Sequence, residues 1–262
     1  MKFTLLALCA SSAIYATAQA EIHGYSDTPK IPGTPYGVHD PARPQPTIVE
    51  TAGAVEVQPP SDAIVLFDGK SVDAWENAWL IKDGAMVATG KDTQTKQSFG
   101  AIQLHFEWRL PADRPANGQN GGNSGVFLMG LYEVQILQSH RNQTYPDGQA
   151  GAMYGQLPPL VNATAPQGEW QSYDLTFEPP VYENGKVAKP AKLFLLHNGV
   201  VVQNGELFTG PTEHRKLAEY PGNHPETGRC RLRIPQRPNR IPKYLGQADS
   251  PEEIMKILPP TS

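Results

Sequence analysis

Glu133 and Gln135 stand two residues apart in Tyr132-Glu133-Val134-Gln135-Ile136-Leu137, where polar and apolar residues alternate. Alternation at period two marks a β-strand, whose side chains point to opposite faces in turn. Glu133 and Gln135 therefore share one face, with Tyr132, Val134 and Ile136 on the other. A carboxylate beside an amide is costly to bury dry. The pair suits a wet face or a face that holds a polar ligand. A carboxylate so placed can move a proton, and an amide can hold a hydroxyl or an oxyanion. The bland alternative for Glu133 is an ion pair with a cation such as Arg109, and for Gln135 a structural hydrogen bond.

Other residue types could serve the same chemistry. His140 follows the Glu133 strand in a loop, and its near-neutral titration suits a proton carrier; a solvated loop histidine is the ordinary reading. Tyr154 and Trp170 could form a stacking platform for sugar C–H faces, although core packing is the expectation for Trp170. Glu107 and Arg109 share one face of a strand, where a weak surface ion pair is the ordinary outcome. Asp147, with the backbone near Gly148 and Gly151, is a candidate set of oxygen ligands for calcium.

No P-loop, dinucleotide fingerprint, H-E-x-x-H or G-x-S-x-G occurs. None of the 7 histidines has zinc-ligand spacing to another.

The elements that must position these groups read as strands. Ala101 to Leu110 alternates, with Ile102, Leu104, Phe106, Trp108 and Leu110 against Gln103, His105, Glu107 and Arg109. Glu169 to Glu178 alternates likewise. Asn123 to Leu128 precedes the Glu133 strand as its neighbour. Ala63 to Phe67 is a short apolar run ended by Asp68-Gly69 and predicts a strand. Asp83-Gly84 and Asn198-Gly199 are type I′ turn dipeptides and predict hairpins around residues 79–88 and 192–203. The one candidate amphipathic helix is Pro251 to Leu258. Many short strands without βαβ alternation predict an all-β sandwich or jelly roll.

Composition narrows the setting. A net charge of −4 and no basic cluster argue against nucleic acid. Met1-Lys2, an apolar run to Ala16 and Ala18-Gln19-Ala20 predict a cleavable signal peptide over residues 1–20, and hence a periplasmic or secreted protein. Beyond it no apolar run is long enough to span a bilayer. Cys9 lies in that leader, so Cys230 has no partner for an internal disulfide and the fold must rest on its core. The 26 prolines concentrate in residues 21–60 and beyond residue 210. The first cluster reads as an extended arm along a surface or a disordered leader. The division is then 1–20 leader, 21–60 arm, 61–228 sandwich and 229–262 atypical tail.

Several short motifs stand in an order that resembles the 3-keto-disaccharide hydrolase family. They are Leu66-Phe67-Asp68-Gly69-Lys70 with Trp75, Asn123-Ser124-Gly125-Val126, Tyr132 to Leu137, Thr144 to Gly155, Pro158 to Ala163, and Gly168 to Asp174. Ser26-Asp27-Thr28-Pro29, Val38-His39-Asp40 and Arg43-Pro44 resemble the leader of secreted members. The resemblance implies a concanavalin A-like jelly-roll β-sandwich. It also implies cleavage of glycosides already oxidised at C3: the ketone acidifies the C2 proton, a base removes it, the C1 substituent leaves by β-elimination, and water adds to the glycal. On that footing Glu133 is base or acid with His140 as partner. Asn123 and Gln135 hold sugar hydroxyls or the enolate oxygen, and Asp147 and Tyr154 line the pocket. No cofactor is called for with certainty; a divalent cation could steady the enolate. The implied partner is an oxidised carbohydrate, with no oligomeric state indicated. The competing readings are a non-catalytic carbohydrate-binding module on the same sandwich, which needs aromatic platforms but no acid–base pair, and an interaction domain whose polar face the arm covers.

The tail departs from the family pattern, whose closing strand resembles H-N-x-P-V-x-F-R-N-I-W-V-R. Pro235, Pro238 and Pro242 at their spacing cannot make a central strand. Codons for Pro238 to Ala248, read one nucleotide later, can spell Pro-Ile-Glu-Phe-Arg-Asn-Ile-Trp-Val-Arg. The expectation is a frameshift between Pro221 and Pro235 that leaves a sheet edge open; the alternative is a divergent Pro-rich tail.

Overall fold

The computed structural model describes residues 23–113 and 116–234, together with a backbone strand over residues 254–258. The leader and the Pro235-to-Gln247 tail lie outside the described residues.

Ten strands build two antiparallel sheets. In chain order they are β1 (Trp75–Glu76), β2 (Thr93–Phe99), β3 (Ile102–Arg109), β4 (Ser124–Leu128), β5 (Tyr132–Ile136), β6 (Gln171–Glu178), β7 (Lys192–His197), β8 (Val200–Leu207), β9 (Gly228–Arg233) and β10 (Ile254–Leu258). One sheet has the order β1-β2-β9-β4-β5 and the other β8-β7-β6-β3-β10. This is the all-β jelly-roll sandwich expected from the alternating strands.

The alternation decides what each sheet buries. Leu104, Phe106 and Trp108 of β3, Tyr173, Leu175 and Phe177 of β6, and Val126, Leu128, Val134 and Ile136 of β4 and β5 meet in one core cluster. Phe106 and Trp108 set their rings edge-on against Tyr173 at 5.1 and 5.7 Å. Each such side chain contributes about 1.5–3 kcal/mol by leaving water. The Tyr173 hydroxyl crosses the core to donate to the Gln135 carbonyl at 2.8 Å. That bond ties the second sheet to the strand that carries Glu133.

Both predicted hairpins form. Leu80–Lys82 pairs with Ala85–Val87, and β7 pairs with β8. Their turns place Asp83, Gly84, Asn198 and Gly199 at positive φ, as type I′ geometry requires.

Two expectations are corrected. Ala63 to Phe67 forms no strand. Only Leu66 and Phe67 reach the core, Ile64 and Val65 stay exposed, and the Leu66 carbonyl accepts the Trp75 indole N–H instead of a ladder bond. Within Pro251 to Leu258, residues 254–258 are a strand and not a helix. They pair along β3 over five positions, from Ile254 opposite Arg109 to Leu258 opposite His105, so this edge of β3 is occupied. A free sheet edge offers unpaired backbone groups, and satisfying them outweighs a weak helical pattern.

The arm is bonded to the sandwich along its length. Tyr145 N donates to the His23 carbonyl at 3.0 Å, Thr47–Ile48 runs parallel to Val161–Asn162, and Ala54 N donates to the Trp170 carbonyl at 2.7 Å.

Candidate active site

Gly125, Phe127, Glu133 and Gln135 occupy the outer face of β4 and β5, opposite the core. The register adds β9 to this face: Arg231 lies opposite Phe127 and Arg233 opposite Gly125, while Phe127 faces Glu133 and Gly125 faces Gln135. Two cross-strand rows result, Arg231–Phe127–Glu133 and Arg233–Gly125–Gln135. The absence of a side chain at Gly125 has a reason. A Cβ there would overlap the Glu133 carboxylate, which leans across this position.

The face is not wet. Glu133 is 1% and Gln135 0% exposed. The segment from Gly151 to Tyr154 runs along the outer edge of β5, with Gly151 N donating to the Gln135 carbonyl and Tyr154 N to the Glu133 carbonyl. The cation that meets Glu133 is Arg233, not Arg109. Glu133 Oε1 lies 2.7 Å from Arg233 Nη2. The two groups touch without an aligned N–H, so Oε1 accepts no hydrogen bond. Burial pushes the Glu133 carboxyl up to about 7; Arg233 and Arg231 pull the other way, and Asp92 adds to the rise. A carboxyl at that value is present in both forms at neutral pH, which suits general acid–base work. Arg231 is itself paired with Asp92 at 2.7 Å and lies 3.9 Å over the Phe127 ring.

An amide network fixes the next layer. Arg233 Nη2 donates to Asn123 Oδ1. Asn123 Nδ2 and Gln135 Nε2 both donate to Gln119 Oε1, at 2.6 and 3.1 Å. Gln135 Oε1 is buried without a partner.

Tyr154 stands beside this group, with the Arg233 guanidinium 5.7 Å from its ring centre. Its ring is only 3% exposed, so it is no open sugar platform. Its hydroxyl is the group that can do chemistry, within hydrogen-bond distance of the Tyr145 hydroxyl at 3.0 Å and of His214 Nδ1 at 3.1 Å. Burial raises the Tyr154 hydroxyl pKa, so it stays protonated. Partial burial, then the nearby His39, Arg215 and Arg233, lower His214, so its imidazole is neutral at neutral pH.

The other predicted residues lie elsewhere. His140 Nδ1 donates to the Thr164 carbonyl at 3.1 Å and sits 4.0 Å from Glu50, so the structure pairs it with neither Glu133 nor Tyr154. Asp147 lines no open pocket. It is fully buried, accepting from His39 N at 3.0 Å and Arg43 Nη1 at 3.1 Å and meeting His39 Nδ1 at 3.2 Å. Glu107, Arg109 and Trp170 belong to the outer face of the second sheet, across the core from Glu133. There Arg109 lies 5.0 Å over the Trp170 ring, and Trp170 is not in the core. Among the described residues no group of three or more His, Cys, Asp or Glu side chains could hold a metal ion. No described helix is long and apolar enough to cross a membrane.

Sequence reasoning missed Arg231, Arg233 and His214. Arg229-Cys230-Arg231-Leu232-Arg233 alternates basic and apolar residues, a strand signal that puts its three arginines, Arg231 and Arg233 among them, on one face. Nothing in the sequence singled out His214 over six other histidines.

Residues 62–240 match the 3-keto-alpha-glucoside-1,2-lyase-like domain. A candidate glycosyl hydrolase from Parabacteroides distasonis is similar in sequence and structure: 33% identity over 79% of this chain and 94% of that one, with a TM-score of 0.66. A second candidate glycosyl hydrolase from the same organism shares 18% identity over 77% of this chain and 100% of that one. Its TM-score of 0.51 shows a common fold. No curated protein matches the chain.

Proposed function

The chain belongs to the 3-keto-alpha-glucoside-1,2-lyase-like family, and we propose that it is a carbohydrate-active enzyme that cleaves 3-keto-glycosides by β-elimination followed by hydration. The observation that carries this reading is Glu133: a carboxyl buried to a pKa of about 7 beside Arg233, on a face it shares with Gln135, Arg231 and Phe127. A binding module has no use for such a group, since a buried titrating carboxyl costs stability.

The chemistry follows from the substrate. A C3 ketone acidifies the C2 proton, and the Glu133 carboxylate takes it. The electron pair moves onto the C3 oxygen, where the Arg233 guanidinium steadies the enolate. Collapse of the enolate forms the C1=C2 bond and breaks the bond from C1 to the leaving oxygen. Tyr154 gives that oxygen its proton and regains one through His214, which is exposed to solvent. Water then adds at C1 of the conjugated enone, releasing one proton to solvent in balance with the one Tyr154 regained, and Glu133 returns its proton to C2. The net change is hydrolysis with both carboxyl and phenol restored. Asn123 holds Arg233 in place, and Gln119 holds Asn123.

The test is release of sugar from 3-keto-trehalose or a 3-keto-glucoside, with exchange of the C2 proton for solvent deuterium followed by NMR. Glu133→Gln should lower both by at least about a hundredfold, with the far-UV spectrum unchanged. Equal turnover by the folded variant overturns the assignment. His214→Gln should slow cleavage more than His140→Gln, because only His214 meets Tyr154.

A further inference from the structure

A groove of about 310 Å³ opens between the arm and the loop that carries Gln119, lined by His23, Tyr25, Asn117, Gln119, Asn120 and Tyr145. We infer that it is the subsite for the leaving group of the substrate, and that it is shaped for one hydroxylated sugar ring. The inference rests on the 3-keto-glycoside reading of the Glu133 site.

Three observations point there. The first is that the groove is built. Asn142 grips both backbone groups of Gly118, accepting from its N at 2.7 Å and donating to its O at 2.9 Å. A Cβ at Gly118 would overlap the His23 ring, and one at Gly148 would overlap the Tyr145 ring. Both glycines thus make room for groove side chains. Tyr25 is held from behind by Arg215, 4.2 Å over its ring, which is itself bound to both oxygens of Asp27 at 2.7 and 2.8 Å.

The second observation is the chemistry of the wall. Asn117 and Asn120 supply amides that can meet adjacent hydroxyls with a donor and an acceptor each, while the Gln119 amide is spent on Thr144, Gly148, Asn123 and Gln135 and fixes the wall. Tyr25, which is half-buried, supplies ring surface for sugar C–H groups. The volume is at the low end for ligand sites, enough for a single ring and not for a chain.

The third is position. Tyr145 shares its hydroxyl with Tyr154, the group assigned to protonate the leaving oxygen. Gln119 reaches both sides: its Nε2 donates to Thr144 Oγ1 and the Gly148 carbonyl at 3.0 Å, and its Oε1 accepts from Asn123 and Gln135 beside Arg233. The groove wall is therefore bonded directly to the group assigned to protonate the leaving oxygen and to the network that holds Arg233. Two of its walls, His23 and Tyr25, come from the arm, so the arm sets leaving-group preference.

The experiment compares kcat/KM for a 3-keto-disaccharide and for methyl 3-keto-glucoside, in the full chain and in Tyr25→Ala and Asn117→Ala. The preference for the disaccharide should fall about tenfold in each variant, the size of one lost ring or hydrogen-bond contact. An unchanged preference overturns the subsite while leaving the cleavage reading intact. Wild-type protein that cleaves neither substrate overturns the cleavage reading. In that event saturation-transfer NMR with methyl α-glucoside still decides the groove: transfer that Tyr25→Ala abolishes supports it, and no transfer to the wild type overturns it.

Discussion

Asp147 and His39 meet twice, 108 positions apart in sequence: the carboxylate accepts the His39 backbone N–H and faces its Nδ1, with both residues fully buried. Arg43 completes the contact at 3.1 Å. The His39 ring in turn packs 4.3 Å from Tyr145 and 4.7 Å from Tyr154. The arm is thus clamped through a buried ion contact to the segment that carries the candidate acid. Asp147→Ala should lower the unfolding free energy by about 3–5 kcal/mol, because it strands a buried guanidinium. Urea denaturation measures this, and a loss under about 1 kcal/mol would show that water replaces the carboxylate cheaply.

Glu133 makes the fold less stable as pH rises. Its folded pKa of about 7 lies above the ordinary 4.5. Below pH 4.5 both the folded and unfolded forms hold the proton, and no penalty applies. Between 4.5 and 7 the unfolded chain releases it first, and stability falls by roughly 3 kcal/mol in all. Glu133→Gln mimics the neutral carboxyl, so it should be more stable than the wild type at pH 8 and equal to it at pH 4. Calorimetry at the two pH values checks this; a variant less stable at pH 8 would mean that the Arg233 contact outweighs burial.

Gly125→Ala separates site geometry from stability. Within a strand, Ala in place of Gly normally helps by about 0.5–1 kcal/mol. Here the added methyl displaces the Glu133 carboxylate toward or away from Arg233. Turnover should fall at least about tenfold while the melting temperature changes by only a few degrees. Normal turnover would show that the carboxylate has freedom to move.

His105 supplies the opposite pH signature on the far sheet. Burial opposes its charge, but hydrogen bonds to Asp174 at 2.6 Å and toward Glu107, with their negative charges, raise it to about 9. Its stabilisation is fully present below pH 6.5 and is lost as pH rises through about 9. After discounting for solvent at this partly open face, it is worth about 1–2 kcal/mol. His105→Gln should remove the fall in stability between pH 7 and 10, read by thermal melts. A slope that persists would place its origin in other groups.

The strands were legible because their signal is local. β3 and β6 bury the alternate residues that their sequences mark as apolar, and Asp83-Gly84 and Asn198-Gly199 turn where their positive-φ tolerance allows. The failures have local reasons too. Ala63 to Phe67 is apolar throughout, so it carries no period to say which residues dock. Residues 254–258 follow the demand of an unpaired edge on β3, which lies about 150 positions away.

By itself the sequence determined that Glu133 and Gln135 share a sheet face away from the core, because the two-residue period of a strand admits no other arrangement. It could not determine what covers that face or which cation stands there. His140 was near Glu133 in sequence and is bonded elsewhere, whereas Arg233 and His214 arrive from 100 and 81 positions away through the pairing of β9 with β4 and the loop over Tyr154. Only the tertiary structure turned a polar pair into a dry carboxyl of raised pKa, because desolvation depends on everything packed around a group and not on its neighbours in the chain.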